Sequence, residues 1–589
     1  MAKQSTNWRA TWRLVRPYWV SEEKWRARGL LLAIVILVLS MVYLEVQFNS
    51  WNRVFYNALE TKDYKVFTEQ LWRFSYLAFI FIAAAIYRIY LTQALQMRWR
   101  SWMTDRYMAR WLGNQTYYRI EQTHTADNPD QRIAEDLNYL TSGSLSLSLG
   151  LLSSMVTLVS FTGILWSVSG PISFILGHQQ WTIPGYMVWF AIAYAGVGSL
   201  IVGWVGWPLV AKHYHQQRFE ADFRFGLIRV RENAEAVALY RGEAQENTQL
   251  QGRFNNIREN WWGIMRTTKS LNLVSTFYDQ FANIFPFLTA APRYFSGAIT
   301  LGGLMQISSA FGQVQGALSW FISAFTDFAA WKASVNRLAG FDAAIAAAHA
   351  EKSGMEVIAN NVGAILIEDV QLSLPDGFRL TNAASMQIEA GQRILVAGPS
   401  GCGKSTLMRA IAGVWPYGSG TIETPQQWKL LFLPQRSYLP IANLRAAISY
   451  PAAEDAYTDL AIQHYLDLCR LPHLKALLDE VDSWSQRLSP GEQQRLAFVR
   501  ALLIRPAALF LDEASSALDT ETEDHVYQLL VQELAGSAIV SVAHRESVAK
   551  HHPIRWQFVP VPREAAHSSD QPERRQYAIQ RDQSGRSAA

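Results

Sequence analysis

The chain has 589 residues, which is long enough for several domains. Half of the residues are hydrophobic and only 17% are charged, against about a quarter in an average soluble domain. The deficit lies before about Glu351, where apolar stretches alternate with basic loops, so we predict a membrane domain followed by a soluble domain. The net charge of +4 comes mainly from loops that flank apolar stretches, which gives no reason to expect nucleic acid as a partner.

The two cysteines, Cys402 and Cys469, belong to no cluster of metal-ligating residues. We therefore expect neither a disulfide nor a structural zinc site.

Residues 1–28 combine tryptophan with arginine and lysine, which is typical of an amphipathic helix lying on the inner membrane surface. A disordered tail is the alternative, although dense aromatic residues disfavour disorder. Residues 29–338 then form the predicted transmembrane domain, in which each apolar stretch is close to the roughly 20 residues that cross a bilayer. The six candidate spans are Gly29–Val46, Phe74–Leu95, Leu149–Val168, Tyr186–Val205, Leu271–Ala291 and Ile299–Phe321. The fifth is the weakest because it contains Asp279, Asn283 and Pro286.

Loop charge predicts the orientation of these spans. The loops after the second and fourth spans are rich in arginine, whereas Pro171–Trp181 has no lysine or arginine and the loop after the fifth span has only Arg293. Since positive loops stay inside, both termini and the soluble domain are expected in the cytosol.

Three ionisable residues within the spans, Glu45, Arg88 and Asp279, are candidates for a hydrophilic cavity. Such groups are costly in lipid and usually face protein or water, so internal ion pairs are an equally good interpretation.

Beyond the membrane domain, the alanine-rich stretch 339–356 is expected to be a linker, and 357–560 a nucleotide-binding domain. The last residues, 561–589, are polar and are expected to be disordered.

A phosphate-binding loop organises the soluble domain. The stretch from Gly398 to Ser405 has the pattern G-x-x-x-x-G-K-S between an apolar strand and a helix, where backbone N–H groups and a helix N-terminus can surround an anion. Lys404 can reach the β- and γ-phosphates of ATP, and the Ser405 hydroxyl can ligate Mg²⁺. The candidate nucleotide-binding residues are Gly398, Pro399, Ser400, Gly401, Cys402, Gly403, Lys404, Ser405 and Thr406.

About a hundred residues later, the apolar strand Ala508–Leu511 ends in Asp512 and Glu513. We expect Asp512 to help hold Mg²⁺ and Glu513 to orient and deprotonate the attacking water.

Further motifs stand in the order found in ABC ATPases. They are Leu433-Pro434-Gln435, the signature Leu488-Ser489-Pro490-Gly491-Glu492, the D-loop around Asp519, and His544. On these residues the soluble part is identified as a member of the ABC nucleotide-binding domains, an α/β P-loop fold.

The resemblance implies that two such domains sandwich two ATP molecules, with Ser489 and Gly491 of one chain touching the γ-phosphate held by the other. It also implies that Gln435 senses the γ-phosphate beside Mg²⁺ and that His544 binds the γ-phosphate. One ATPase domain and one six-span domain in the chain then call for a homodimer.

Three positions depart from the family pattern. Pro490 replaces a glycine and lacks an N–H, and Glu492 replaces a glutamine and adds negative charge. Leu374 stands where an aromatic residue often stacks on adenine, and Phe378 is the alternative candidate for that role. We expect hydrolysis to persist, with altered affinity or rate.

The membrane half resembles the SbmA/BacA-like permeases in their YddA-like branch with a fused ATPase, and is similar to the peroxisomal fatty-acyl ABC subfamily D. The motif segments are Asn49–Asn52, Phe55–Leu59, Asn128–Ile133, Glu232–Glu243, Ala291–Gly297 and Gly302–Gln306. The resemblance implies an exporter-type transmembrane fold in the inner membrane of a bacterium. Because two of the segments lie in the basic loops, Asp130, Arg132, Glu232 and Glu235 are candidates for coupling to the ATPase rather than for cargo binding.

The leading hypothesis is therefore an ATP-driven transporter. BacA-like relatives imply hydrophilic cargo such as peptides or cobalamin-like molecules, whereas subfamily D implies fatty acids or acyl-CoA. A membrane-bound regulatory ATPase without cargo is a further alternative, and the direction of transport stays open.

Overall fold

The computed structural model describes residues 8–123, 125, 128–176, 179–350, 354–561 and 575–582. These residues form two compact units, one of Met1–Trp111 with Ala126–Ala344 and the other of Leu112–Thr125 with Ile345–Ala589.

Long helices dominate the first part of the chain, and one hairpin joins two of them. The helices are α1 (Trp8–Trp19), α2 (Lys24–Glu60), α3 (Tyr64–Leu112), α4 (Thr116–Thr123), α5 (Pro129–Gln131), α6 (Leu137–Ser169), α7 (Tyr186–Glu232), α8 (Ala234–Tyr240), α9 (Glu243–Phe295) and α10 (Leu301–Ala350). A π-helical turn, Arg132–Asp136, joins α5 to α6, and the strands β1 (Pro171–Leu176) and β2 (Gln179–Pro184) form an antiparallel hairpin before α7.

The six expected spans lie on α2, α3, α6, α7, α9 and α10. Of the helices that the structure describes, four stretches are long and apolar enough to cross a membrane, and they contain α2, α3, α6 and α7. α9 carries Asp279 and Asn283, and α10 carries polar residues such as Gln306 and Gln313, which lowers their mean hydropathy. The boundaries also differ, because α2 already begins at Lys24, inside the region expected to be interfacial.

Two of the membrane motif segments meet where α2 packs on α10. The buried Asn49 side chain makes two hydrogen bonds to Gln306: its Nδ2 donates to the Gln306 backbone carbonyl at 3.0 Å, and its Oδ1 accepts from Gln306 Nε2 at 3.1 Å. At the start of α10, the N–H of Leu301 donates to Glu60 at 3.0 Å. Hydrogen bonds between buried groups of two helices favour one register of packing, so this arrangement favours a packing role for these segments.

The second unit contains a six-stranded sheet, a four-stranded sheet, a short two-stranded sheet and the helices that cover them. Its strands are β3 (Met355–Asn360), β4 (Ala364–Leu372), β5 (Ala384–Glu389), β6 (Arg393–Ala397), β7 (Gly418–Pro425), β8 (Leu430–Leu433), β9 (Ala442–Asn443), β10 (Val481–Asp482), β11 (Ala508–Asp512), β12 (Ala538–Val542), β13 (Ile554–Pro560) and β14 (Tyr577–Asp582). Its helices are α11 (Lys404–Ile411), α12 (Leu444–Ser449), α13 (Asp459–Leu468), α14 (Trp484–Arg487), α15 (Pro490–Ile504), α16 (Thr520–Glu533) and α17 (Glu546–Ala549).

The larger sheet has the order β14-β13-β6-β12-β11-β8 and is parallel except for β14, while the smaller has the order β3-β7-β4-β5. Strands β11 and β12 are almost wholly apolar and buried, as parallel strands covered on both faces must be. Side chains alternate along β11, so Leu509 and Leu511 enter the core under α12–α16, and Phe510 enters the core beneath α11 and the smaller sheet.

The structure adds detail at one end of this unit and corrects an expectation at the other. Within the predicted linker 339–356, the alanine-rich stretch up to Ala350 continues α10 as a helix, since alanine is the best helix former. Tyr577–Asp582 of the polar tail is not disordered but forms β14, whose alternating Tyr577 and Ile579 pack against the core beside β13. The remainder of the tail, 562–574 and 583–589, lies outside the described residues.

The two thiols occupy separate cores. Cys402 is buried in the core beneath α11, and Cys469 is buried under α13 and α15. Burial raises the pKa of the Cys469 thiol to about 12.

Candidate functional site

Four of the sequence motifs follow four neighbouring parallel strands. The phosphate loop follows β6, His544 follows β12, Glu513 follows β11, and Gln435 follows β8. The carboxyl ends of parallel strands meet at one edge of the sheet, so this topology gathers residues more than 100 positions apart.

The phosphate loop is shaped by its glycines. Gly398 has φ +152° and Gly403 has φ +106°, and a Cβ on Gly398 would lie 2.7 Å from the side chain of Phe558. Lys404, which is buried, donates from Nζ to the carbonyls of Gly398 at 2.8 Å and Pro399 at 2.9 Å. The amide groups of this loop and the N-terminus of α11 form a concave, positive surface suited to phosphate.

Ser405, at the start of α11, and Asp512, at the end of β11, are in contact. The Ser405 hydroxyl donates to Asp512 Oδ1 at 2.8 Å. Burial raises the pKa of Asp512, an effect that the Ser405 hydrogen bond reduces and the nearby charge of Glu513 adds to. A hydroxyl and a carboxylate at this distance are oxygen donors of the kind that Mg²⁺ prefers.

Glu513 lies between Gln435 and His544. Gln435 Nε2 donates to Glu513 Oε2 at 3.1 Å, and His544 Nε2 lies 3.4 Å from the other carboxylate oxygen. The backbone of Glu513 has φ +49°, an uncommon conformation for a non-glycine residue, and its N–H donates to the carbonyl of Val542. The carboxylate that was expected to activate water is thus fixed by groups from two neighbouring strands.

The signature residues form the start of α15. Ser489 caps the helix, Pro490 occupies its first position, and Glu492 completes a capping box with Ser489. Proline suits this position, where the N–H has no partner within the helix in any case. Gly491 lies against the D-loop, because an added Cβ would be 3.3 Å from the carbonyl of Ala517. Asp519 caps α16 by accepting the N–H of Thr522 at 2.9 Å.

Two residues that the sequence analysis did not single out connect these motifs. Gln494 donates to the carbonyl of Gln435 at 3.3 Å and to the Ser516 hydroxyl at 3.1 Å, and accepts the N–H of Ala517 at 2.8 Å. Arg545 donates to the D-loop carbonyls of Leu518 at 2.6 Å and Ser516 at 3.3 Å. Their positions beside Glu492 and His544 were the only signal available in the sequence.

The coupling candidates lie where long helices break. Asp130 is exposed on α5, whereas Arg132 donates to the buried Asp136 at 2.9 Å within the π-helical turn. Glu232 and Glu235 are exposed on either side of the break between α7 and α8. The structure also brings Arg337 of α10 to Asp136, at 2.5 Å.

Of the cavity candidates, Glu45 and Arg88 interact electrostatically between α2 and α3. Asp279 is exposed on α9, and its charge interacts electrostatically with Tyr194 of α7. An apolar cavity of about 580 Å³ lies elsewhere in the same unit, between α1, α6 and α10. Half of the residues that line it are aromatic, among them Trp8, Trp12, Trp320, Phe325 and Trp331.

Comparison with known proteins identifies the family. The model of the ABC transporter transmembrane region 2 matches residues 14–295, and the ABC transporter model matches residues 381–516. The inner membrane ABC transporter ATP-binding protein YddA of Escherichia coli is 32% identical over 545 residues, which cover 91% of this chain and 94% of the relative. This chain belongs to the ABC transporter family.

A further relative and a solved structure are also similar to this chain. The human lysosomal cobalamin transporter ABCD4 is 25% identical over 91% of the chain and 94% of its own length. The structure of a bacterial Atm1-family ABC exporter with ATP bound aligns with a TM-score of 0.67 at 15% identity, covering 90% of this chain and 93% of that one.

These findings confirm the YddA-like and subfamily D resemblance, the exporter-type membrane fold followed by an ABC ATPase domain, and ATP hydrolysis coupled to transport. They also support a multi-pass protein of the inner membrane.

Proposed function

We propose that this ABC transporter works as a homodimer in which each ATP lies between the phosphate loop of one chain and the signature of the other. The observation that carries the proposal is the placement of Gln435 and His544 on either side of the Glu513 carboxylate, next to the phosphate loop. Each chain offers one such site, and its exposed Ser489 and Pro490 are available to a second chain.

Within this site we assign Mg²⁺ to the Ser405 hydroxyl, the Gln435 amide oxygen and the Asp512 carboxylate. The 2.8 Å approach of Ser405 to Asp512 supports the assignment. Mg²⁺ supplies charge that neutralises the β- and γ-phosphates.

Glu513 is then the group that accepts a proton from the attacking water, and Gln435 and His544 hold the Glu513 carboxylate in place. Lys404 neutralises phosphate charge. Hydrolysis then lets the two ATPase domains move apart and resets the membrane helices.

The soluble domain and both termini are assigned to the cytosol. The arginine-rich loops around α5 and α8 support this orientation, because positive loops remain on the cytosolic side. The short helices in those loops, with Asp130, Arg132, Glu232 and Glu235, would transmit motion from the ATPase to the spans.

The cargo is assigned to hydrophilic compounds such as peptides or cobalamin-like molecules. The cobalamin transporter among the relatives supports this class, as do the charges of Glu45 and Arg88 and the glutamines of α10. The apolar, aromatic-lined cavity favours a second candidate, a fatty acid or acyl-CoA, whose chain would be stabilised there.

The test is transport in proteoliposomes that carry the ATPase domain on the outside. Labelled peptides, a corrinoid and an acyl-CoA are offered on either side, with wild-type protein and the Glu513→Gln variant compared. ATP-dependent movement of a polar cargo that the variant lacks is the expected result, and it also gives the direction.

Movement of acyl-CoA alone would favour the second candidate. ATP hydrolysis with no movement of any compound would support a regulatory ATPase and contradict the proposal.

A further inference from the structure

The hydroxyl of the signature serine is already engaged within its own chain. Ser489 Oγ donates its single proton to Glu492 Oε2 at 2.8 Å, and the backbone N–H of Ser489 donates to the same oxygen at 2.9 Å. The N–H of Glu492 donates back to Ser489 Oγ at 3.4 Å. One carboxylate oxygen therefore holds both donors of the residue that is expected to meet the partner's γ-phosphate.

The other oxygen of this carboxylate is held from outside the helix. His473, in the 3₁₀ turn Pro472–Leu477, places Nε2 at 2.9 Å from Glu492 Oε1. Glu492 is only 23% exposed, whereas His473 is 53% exposed. Burial would raise the pKa of Glu492, but the hydrogen bonds from Ser489 and His473 outweigh it, and the pKa lies below its usual range.

The Glu492 carboxylate lies where the electrostatic potential of α15 favours an anion. It is the anion at the N-terminus of α15, where the exposed N–H groups and the helix dipole favour negative charge. A γ-phosphate at the same end of the helix would accept a hydrogen bond from the same Ser489 hydroxyl and would be stabilised by the same helix dipole. The two anions also repel each other.

We propose that Glu492 is an internal competitor of the partner's γ-phosphate for Ser489, and that His473 sets the strength of this competition. Both are positioning residues, since they act through Ser489. Closure of the ATP sandwich requires the Ser489 hydroxyl to exchange its hydrogen-bond acceptor, from the Glu492 carboxylate to the phosphate, while it keeps its own proton. His473 favours this exchange by drawing the carboxylate and part of its charge away from Ser489.

This inference rests on the proposed homodimer, and a double-mutant cycle tests it. Steady-state ATP hydrolysis by the full chain in nanodiscs is measured for wild type, Glu492→Gln, His473→Ala and the double variant. We expect Glu492→Gln to lower the KM for ATP about fivefold and His473→Ala to raise it about two- to fivefold, in the range of partly exposed charge pairs. The kcat should change little.

The double variant should have the KM of Glu492→Gln alone, because without the charge His473 has nothing to offset. His473→Gln keeps a hydrogen-bond donor and should restore part of the wild-type KM. His464→Ala, an exposed histidine on α13, is the matched control and should leave the KM unchanged.

Additive effects of the two substitutions, or a loss of kcat with no change in KM, would overturn the inference while leaving the proposed function intact. Absence of ATP hydrolysis by folded wild-type protein, or activity retained in Glu513→Gln, would instead contradict the proposed function.

Discussion

Asn57 of α2 caps the first turn of α10, because its Oδ1 accepts the backbone N–H of Gly302 at 2.9 Å. The close approach depends on glycine, since a Cβ on Gly302 would lie 2.0 Å from the carbonyl oxygen of Arg53. Two motif segments about 250 residues apart therefore form one helix–helix contact, and the contact involves backbone that cannot easily move aside.

Substitution of Gly302 tests this contact. We expect Gly302→Ala to destabilise the membrane unit by about 1–3 kcal/mol, the usual range for overpacking, and to lower the apparent Tm in detergent. The control is Gly303→Ala in the same turn, where the nearest atom to a new Cβ is the Thr300 hydroxyl at 3.4 Å. Equal Tm values for the two variants would contradict the argument.

The buried Asp136 gives a second prediction. Its carboxylate binds Arg132 at 2.9 Å and Arg337 at 2.5 Å, and removing one partner of a buried ion pair typically costs about 3–5 kcal/mol. Asp136→Asn should thus lower the apparent Tm clearly, while Asp130→Asn, an exposed change on the adjacent α5, should not. Thermal unfolding followed by intrinsic fluorescence measures both, and an unchanged Tm for Asp136→Asn would exclude a structural role for this cluster.

Gln494 is predicted to control the rate of hydrolysis. Gln494→Ala removes the side chain that links the backbone of Gln435 to that of Ala517, leaving polar groups unpaired at about 1–3 kcal/mol each. We expect kcat to fall about tenfold with the KM for ATP within about twofold, since Gln494 is not among the phosphate-loop residues. Gln528→Ala, an exposed change on α16, serves as control, and a matching loss in both variants would contradict this assignment.

His552 predicts how stability depends on pH. Burial lowers the pKa of His552 to about 4, while its Nδ1 donates to the carbonyl of Val548 at 2.8 Å. The unfolded chain takes up this proton below about pH 6.5 and the folded chain only near pH 4. Burial of the neutral histidine therefore carries no protonation penalty above about pH 6.5. As the pH falls to 4, the free energy of unfolding decreases by about 3 kcal/mol.

The measurement is the apparent Tm of the full chain between pH 7 and 4.5 for wild type and His552→Phe. Phenylalanine keeps the ring contact with Tyr527 but cannot bind a proton, so the Tm of this variant should fall less with acid. His464→Phe, on an exposed surface, should follow the wild type. Parallel curves for all three proteins would show that His552 does not titrate on unfolding.

Much of the soluble domain was predictable because its motifs are local. The phosphate loop needs a strand, a glycine-rich turn and a helix in sequence, and each leaves a pattern within a few residues. The strand β14 was missed for the opposite reason, since six alternating residues in a polar tail gain their stability only by pairing with β13.

The sequence by itself determined the ABC family from the order of its motifs, and it determined the apolar helices and the strand-end positions of Asp512 and Glu513, because these depend on local periodicity and spacing. Only the tertiary structure decided which distant groups share a hydrogen bond. The contact of His473 with Glu492, the links made by Gln494, and the cap of Asn57 on Gly302 each join separate chain segments. Side-chain hydrogen bonds need distances near 3 Å, and packing alone brings such segments that close.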